Sequence, residues 1–171
     1  MKTSMTLFGC GPRLAFLSVP YVTLSLTVMY KDPEFLYLKF LDTSYIKVLG
    51  LIWLGLGLIF WIYSAIFFLK HFKPGQLITQ GPFALCRNPI YSSIIVFIIP
   101  SLAIIYSSGM IFTIALTLYL GFKFSIHGET IVLRRTFDKK YEIYEKAVNE
   151  IIPFPRHLFR EQSIKNHLTA N

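Results

Sequence analysis

Residues 77–91 read LITQGPFALCRNPIY, a polar, turn-rich cassette set between two hydrophobic runs that are each about long enough to cross ~30 Å of hydrocarbon. Gly81-Pro82 and Asn88-Pro89 are turn dipeptides, and Arg87 sits a few residues from the start of an apolar run, where charge is sparse. A cation, two turns and Tyr91 in so few residues at a membrane boundary have the character of a site.

Working outward, the run before the cassette (48–69) carries no charge, and Gly50, Gly55 and Gly57 offer it a small-residue face for close helix packing. Two further runs follow, at 90–106 and 110–126, joined only by Ser107, Ser108 and Gly109, which predicts a tight helical hairpin. A first candidate span, 14–30, is interrupted by Pro20; no small-residue cleavage site follows it, so it is read as a mature helix. Composition agrees with four spans. Hydrophobic residues make up 54% of the 171, charged residues only 15%, and mean hydropathy is +0.54, values foreign to a soluble domain of this length. The fold class expected is all-α: a polytopic membrane bundle of about four transmembrane helices over residues 1–126, with a cofactor loop at 70–91, followed by a C-terminal amphipathic helix and tail at 127–171.

Loop charge sets the orientation. With the N-terminus inside, Lys2, Arg13, Lys70, Lys73, Arg87 and every basic residue from Lys123 onward gather on one side, leaving Lys31, Lys39 and Lys47 on the other. Both termini and the cassette are therefore expected on the cytoplasmic face of a multi-pass membrane protein. The net charge of +8 fits this sorting and attraction to anionic membrane lipids. Nucleic-acid binding would call for basic residues interleaved with stacking aromatics on a soluble surface, which the tail lacks. Cys10 and Cys86 form no metal-binding pattern and read as small hydrophobes near the membrane surface.

Beyond the fourth run, Leu133, Phe137, Tyr141, Tyr144 and Val148 recur at helical spacing, with Arg134, Arg135, Lys139, Lys140, Glu142 and Lys146 on other faces. Glu142 and Lys146 are ordered for an i,i+4 pair, and Pro153 and Pro155 end the helix. Glu129 heads the apolar stripe, so its carboxylate is expected to face the bundle near Arg87 and Tyr91. Tyr141 and Tyr144 read as packing residues that seat the helix.

The run from Leu77 through Gly81, Pro82, Phe83, Arg87, Asn88, Pro89 and Tyr91 resembles the G-P-Y-x-x-x-R-H-P-x-Y signature of the isoprenylcysteine carboxyl methyltransferase family and its phospholipid methyltransferase relatives. Downstream, Glu129, Leu133, Phe137, Tyr141 and Tyr144 match that family's E-E-x-x-L-x-x-x-F-G-x-x-Y-x-x-Y pattern in register, and Ile152-Pro153 matches its closing I-P. The resemblance covers roughly residues 48–153. It implies an S-adenosylmethionine-dependent membrane methyltransferase with a lipophilic or amphipathic small-molecule acceptor entering from the bilayer, methylated on oxygen, nitrogen or sulfur. Carried over by position, Gly75, Gln76, Leu77, Ile78 and Phe83 line the cofactor. Asn88, Pro89, Ile90 and Tyr91 contact it from the start of the third span, Glu129 binds it from beyond the hairpin, and Arg87 orients the site. A sulfonium cofactor with an amine, a carboxylate, ribose and adenine needs an anion, a cation and aromatic walls, which Glu129, Arg87, Phe83 and Tyr91 can supply in more than one assignment.

The chain departs from the pattern at four places. Asn88 replaces His, Thr130 the second Glu, Phe83 the Tyr, and Asp138 the Gly after Phe137; in addition Ser125 stands where the isoprenylcysteine enzymes place an Arg associated with their substrate, which argues against a prenylated-protein carboxylate. Two other readings stand beside the enzyme: a catalytically inactive scaffold of the same fold, and a haem- or metal-binding subunit using His71 or His127.

Overall fold

The computed structural model describes residues 11–73 and 75–154; Lys2, Cys10, Pro155 and the tail beyond it lie outside the described residues. Among those described, all regular structure is helical: α1 Gly11–Lys31, α2 Ser44–His71, the single turn α3 Pro82–Leu85, α4 Pro89–Ile105 and α5 Gly109–Ala147. Helices α1, α2 and α5 are each long and apolar enough to cross a membrane, and α4 is a shorter apolar helix. The chain is an integral membrane helical bundle, with its spans where hydropathy places them.

Helix α4 is short for a span and its middle, Ser93–Ile98, is wound as a π-helix. Pro100 lies just beyond and brings no N–H to the preceding turn. The Val96 carbonyl instead accepts a hydrogen bond from the Trp53 indole at 3.2 Å, so a neighbouring span satisfies a backbone group that hydrocarbon cannot. Trp53 also stacks on Phe97 with centroids 4.9 Å apart.

Gly50 and Gly57 carry the close contact of α2 with α4: a Cβ on Gly57 would fall 2.6 Å from Phe97, and one on Gly50 3.0 Å from Ile104. These two glycines are one heptad apart and so nearly eclipsed on the helix, about 20° out. Gly55 has nothing within 4 Å of a built Cβ, because two residues from Gly57 is the far side of the helix; the expected three-glycine face is a two-glycine face.

Helix α1 lies along α5. Leu14 joins Ile95, Phe122, Ile126 and Ile151 in the core, the Tyr21 hydroxyl donates to Thr113 Oγ1 at 2.8 Å, and Gly121 lets Leu14 and Ser18 approach. The first run is thus a full member of the bundle, and its start reaches the cassette: a Cβ on Gly11 would lie 3.2 Å from the Tyr91 hydroxyl.

The fourth run continues unbroken into the first part of the amphipathic tail. Nothing breaks at 126/127; helical backbone runs from Gly109 to Phe137, about 44 Å at 1.5 Å per residue, past the hydrocarbon. The backbone breaks instead at Asp138, with φ 45° and ψ −126°, a conformation that suits glycine. The residue standing where the resembling pattern has Gly adopts a Gly-type backbone.

Candidate active site

The cassette is held at one end of the bundle by α2 and by the segment after Asp138. Gly81 has φ +61°, and a Cβ there would meet the Phe67 ring at 2.6 Å, so the Gly-Pro turn seats directly on α2. Pro82 and Pro89 are fully buried and each opens a short helical turn, as the fixed φ of proline favours. Gly75, at φ +81°, makes the turn that enters the cassette.

The C-terminal segment then straps the cassette down. Cys86 pairs with Asn149 in an isolated parallel bridge; Arg87 N–H donates to the Asn149 carbonyl at 2.8 Å and Asn88 N–H to the Glu150 carbonyl at 3.1 Å. The Asn88 side-chain amide donates to the same Glu150 carbonyl at 3.1 Å, and the Tyr144 hydroxyl donates to the Phe83 carbonyl at 2.7 Å. Backbone carbonyls on both pieces are thereby satisfied in a partly desolvated place.

Arg87 lies at the centre of this strap. Its Nη1 donates to Glu145 Oε1 at 2.7 Å and to the Tyr141 hydroxyl at 3.1 Å, while Nη2 lies 4.0 Å from Glu150 Oε1. Glu145 also accepts from Arg134 Nε at 2.9 Å, and Glu150 is paired with Lys123. The Arg87 side chain is only 12% exposed and that of Glu145 19%, so the pair is shielded from solvent and from salt. Burial opposes the Arg87 charge, but Tyr141 and Glu145 outweigh it and hold the guanidinium protonated. Burial likewise pushes the Glu145 carboxyl up, and Arg134 and Arg87 outweigh it, leaving the group below its ordinary range. The Arg87 Nε is buried with no hydrogen-bond partner, an unused donor at the cassette. Cys86 is fully buried, and that burial pushes its thiol up to about 11; it is the inert hydrophobe the sequence suggests.

The remaining expected site residues gather around the same end. Leu77 packs on the Tyr141, Tyr144, Ala147 and Val148 cluster, together with Leu133 and Phe137; the stripe residues meet, but across the backbone break at Asp138 rather than on one continuous helical face. Phe83 is half-buried against Phe68 with centroids 6.1 Å apart. Tyr91 joins the core below the cassette, 5.4 Å from the Phe122 ring. Ile78, Ile90 and Glu129 are half-buried, whereas Gln76 is exposed. Arg87 takes Glu145 and Glu150 as its ion-pair partners among the described residues, not Glu129. The Glu142–Lys146 pair offered by spacing does not form among the described ion pairs, because the acid one turn along the strap, Glu145, faces the cassette and Glu142 faces out. Glu145 and Glu150 are the residues the sequence reading missed. A buried arginine needs acids, but nothing local in the sequence says which of the tail acids supply them.

His71 is engaged on its own helix, its Nδ1 2.9 Å from the Phe67 carbonyl and its ring stacked on Phe67 at 4.0 Å. Among the described residues, no three of His, Cys, Asp or Glu come together as a metal site would require.

A helical membrane bundle with a polar cassette sealed at one end by its own C-terminal strap is the class this geometry defines. Residues 43–140, more than half of the chain, match the family model of the phospholipid methyltransferases, and the chain belongs to that family; it is a membrane methyltransferase by family. No curated protein and no solved structure matches the chain.

Proposed function

We propose that the chain is an S-adenosylmethionine-dependent methyltransferase whose cofactor is held at the cassette end and whose acceptor is a small lipophilic or amphipathic molecule of the bilayer. The observation that supports this best is the strap: the cassette within the matched region is clamped by the distal part of α5 around a half-buried donor set. The residues fit the cofactor's chemistry. Glu129 offers a carboxylate for an amine or ribose hydroxyls, Asn88 offers a donor, and Phe83 and Tyr91 offer aromatic faces for adenine or a sulfonium.

Bound there by Glu129, Asn88, Phe83 and Tyr91, S-adenosylmethionine would supply an electrophilic methyl group on positively charged sulfur. The chain's own tasks are then alignment and exclusion of water. Arg87, fixed by Glu145 and Tyr141, positions the turn that carries Asn88 and Pro89, while Tyr144 and Val148 cover the cassette from the aqueous side. Arg87 is a positioning residue in this account, and Glu129 is the group that touches the cofactor. The positive-inside distribution supports a cytoplasmic location for this end and both termini.

A second reading, an inactive scaffold of the same fold, is favoured by one observation: Arg87 spends its charge within the protein. Calorimetric titration of the detergent-purified protein with S-adenosylhomocysteine separates the two. Saturable binding that is lost in Glu129→Ala and weakened in Arg87→Ala is expected; absence of binding by folded native protein overturns the enzyme reading.

A further inference from the structure

The strap is joined to the rest of α5 through one point. Helical backbone leads up to Phe137 and resumes beyond Asp138, the residue that departs from it at φ 45° and ψ −126°. From Arg134 to Lys140 all residues but Phe137 are exposed, so little besides the chain itself fixes the angle at the break. Past the break, the strap is anchored by polar contacts with the cassette and the bundle. Tyr141 and Glu145 take Arg87, the Tyr144 hydroxyl donates to the Phe83 carbonyl, and Glu150 takes Lys123. The Asn149 and Glu150 carbonyls accept from the Arg87 and Asn88 N–H groups. The strap thereby covers Cys86, which is fully buried and pairs with Asn149.

A thinly supported joint at one end and a set of polar anchors along the other describe a flap. We propose that residues 139–150 are a gate that swings about Asp138, and that its opening admits S-adenosylmethionine to the cassette and releases the spent cofactor. The second half of that statement rests on the methyltransferase reading above. A ligand that carries an amine, a carboxylate and a sulfonium does not cross hydrocarbon, so its way in lies on the aqueous side, where the strap is. The anchors suit reversible closure, because water can take over each polar partner when the strap lifts. Asp138 sets the bias of the gate. Closure holds this L-residue at positive φ, a strain released when the joint is free to turn. The gate therefore opens more often than it would with glycine at the joint.

Two measurements test the gate. Cys10→Ser leaves Cys86 as the single cysteine of the chain, and its labelling by a water-soluble maleimide reports opening. Labelling is expected to be about tenfold faster in Glu145→Gln and about fivefold slower in Asp138→Gly. A thiol introduced by Ser101→Cys in a Cys10→Ser, Cys86→Ser chain, at a fully buried position of α4, reports global unfolding instead and is expected to label far more slowly. Equal labelling at the two positions, or a Cys86 rate unmoved by Glu145→Gln, overturns the gate; a rate unmoved by Asp138→Gly overturns the strain at its joint. In the second measurement, Asn149→Cys in the Cys10→Ser chain sets a thiol opposite Cys86; paired residues of parallel segments stand ~5 Å apart, within disulfide reach. Oxidation is expected to shut the gate: S-adenosylhomocysteine added beforehand is retained, ligand added afterwards is excluded, and reduction restores exchange. Exchange as fast in the oxidised as in the reduced protein overturns the gate as the cofactor's entrance. Absence of binding in both the reduced and the native protein sinks the methyltransferase reading alone, since the labelling rates still decide the gate.

Discussion

At one end of the bundle, residues 36–38 meet the α4–α5 turn through two backbone hydrogen bonds, Leu38 N–H to Ser107 O and Gly109 N–H to Leu36 O, each 2.8 Å. At the other, residues 86–88 meet 149–150 through a similar pair of backbone bonds, at 2.8 and 3.1 Å, but here the contact also carries Arg87, Glu145, Glu150 and Arg134. The nearest charged pair at the hairpin end, Asp42 with Lys47, is solvent-exposed and joins neighbours in sequence. Backbone pairing is evidently enough to close a loop onto a membrane bundle. Half-buried charge added to the same closure is costly to assemble and fixes one geometry, which is what a site needs and a plain turn does not.

The largest way to break that difference is to remove its centre. Arg87→Ala leaves Glu145 and Glu150 facing a partly desolvated gap and is expected to cost about 3 kcal/mol, read as a lower thermal midpoint in detergent. The two glycine contacts come next. Gly81→Ala must place a side chain at positive φ and into the Phe67 ring, costing about 2 kcal/mol; Gly109→Ala only presses on Leu36 O at 3.0 Å with an ordinary φ, costing about 1 kcal/mol. Only the first of the pair is expected to weaken S-adenosylhomocysteine binding.

Acid sharpens the comparison further. Glu145 titrates lower in the folded protein than in the unfolded chain, so the unfolded state binds more protons in the interval between the two values. The stabilisation is complete above the ordinary glutamate value of about 4.3 and is lost as pH falls through the lower folded value. The native midpoint is therefore expected to drop below about pH 4, with a shallower drop in Glu145→Gln over the same range. Asp138→Gly has the smallest effect and the opposite sign: at φ 45° it relieves an L-residue in a glycine conformation and raises stability by about 1 kcal/mol.

Hydropathy made the spans and the hairpin legible, because lipid imposes length and apolarity on each segment independently. The Leu133 to Val148 residues were legible as one packing set, although the break at Asp138 means that no single helical face carries them. Charge pairing was not. Arg87 and Glu145 stand 58 residues apart, and no local pattern says which of several tail acids turns inward, so Glu142–Lys146 looked as good as the pair that forms. The backbone break at Asp138 was legible only through the resemblance, whose pattern has glycine there.

The most direct measurement is hydrogen–deuterium exchange of the full-length protein with and without S-adenosylhomocysteine. Added protection is expected across residues 75–91 and 129–150, with none across 32–43 or 107–109. Protection confined to the hairpin end, or no change anywhere at saturating ligand, would contradict it.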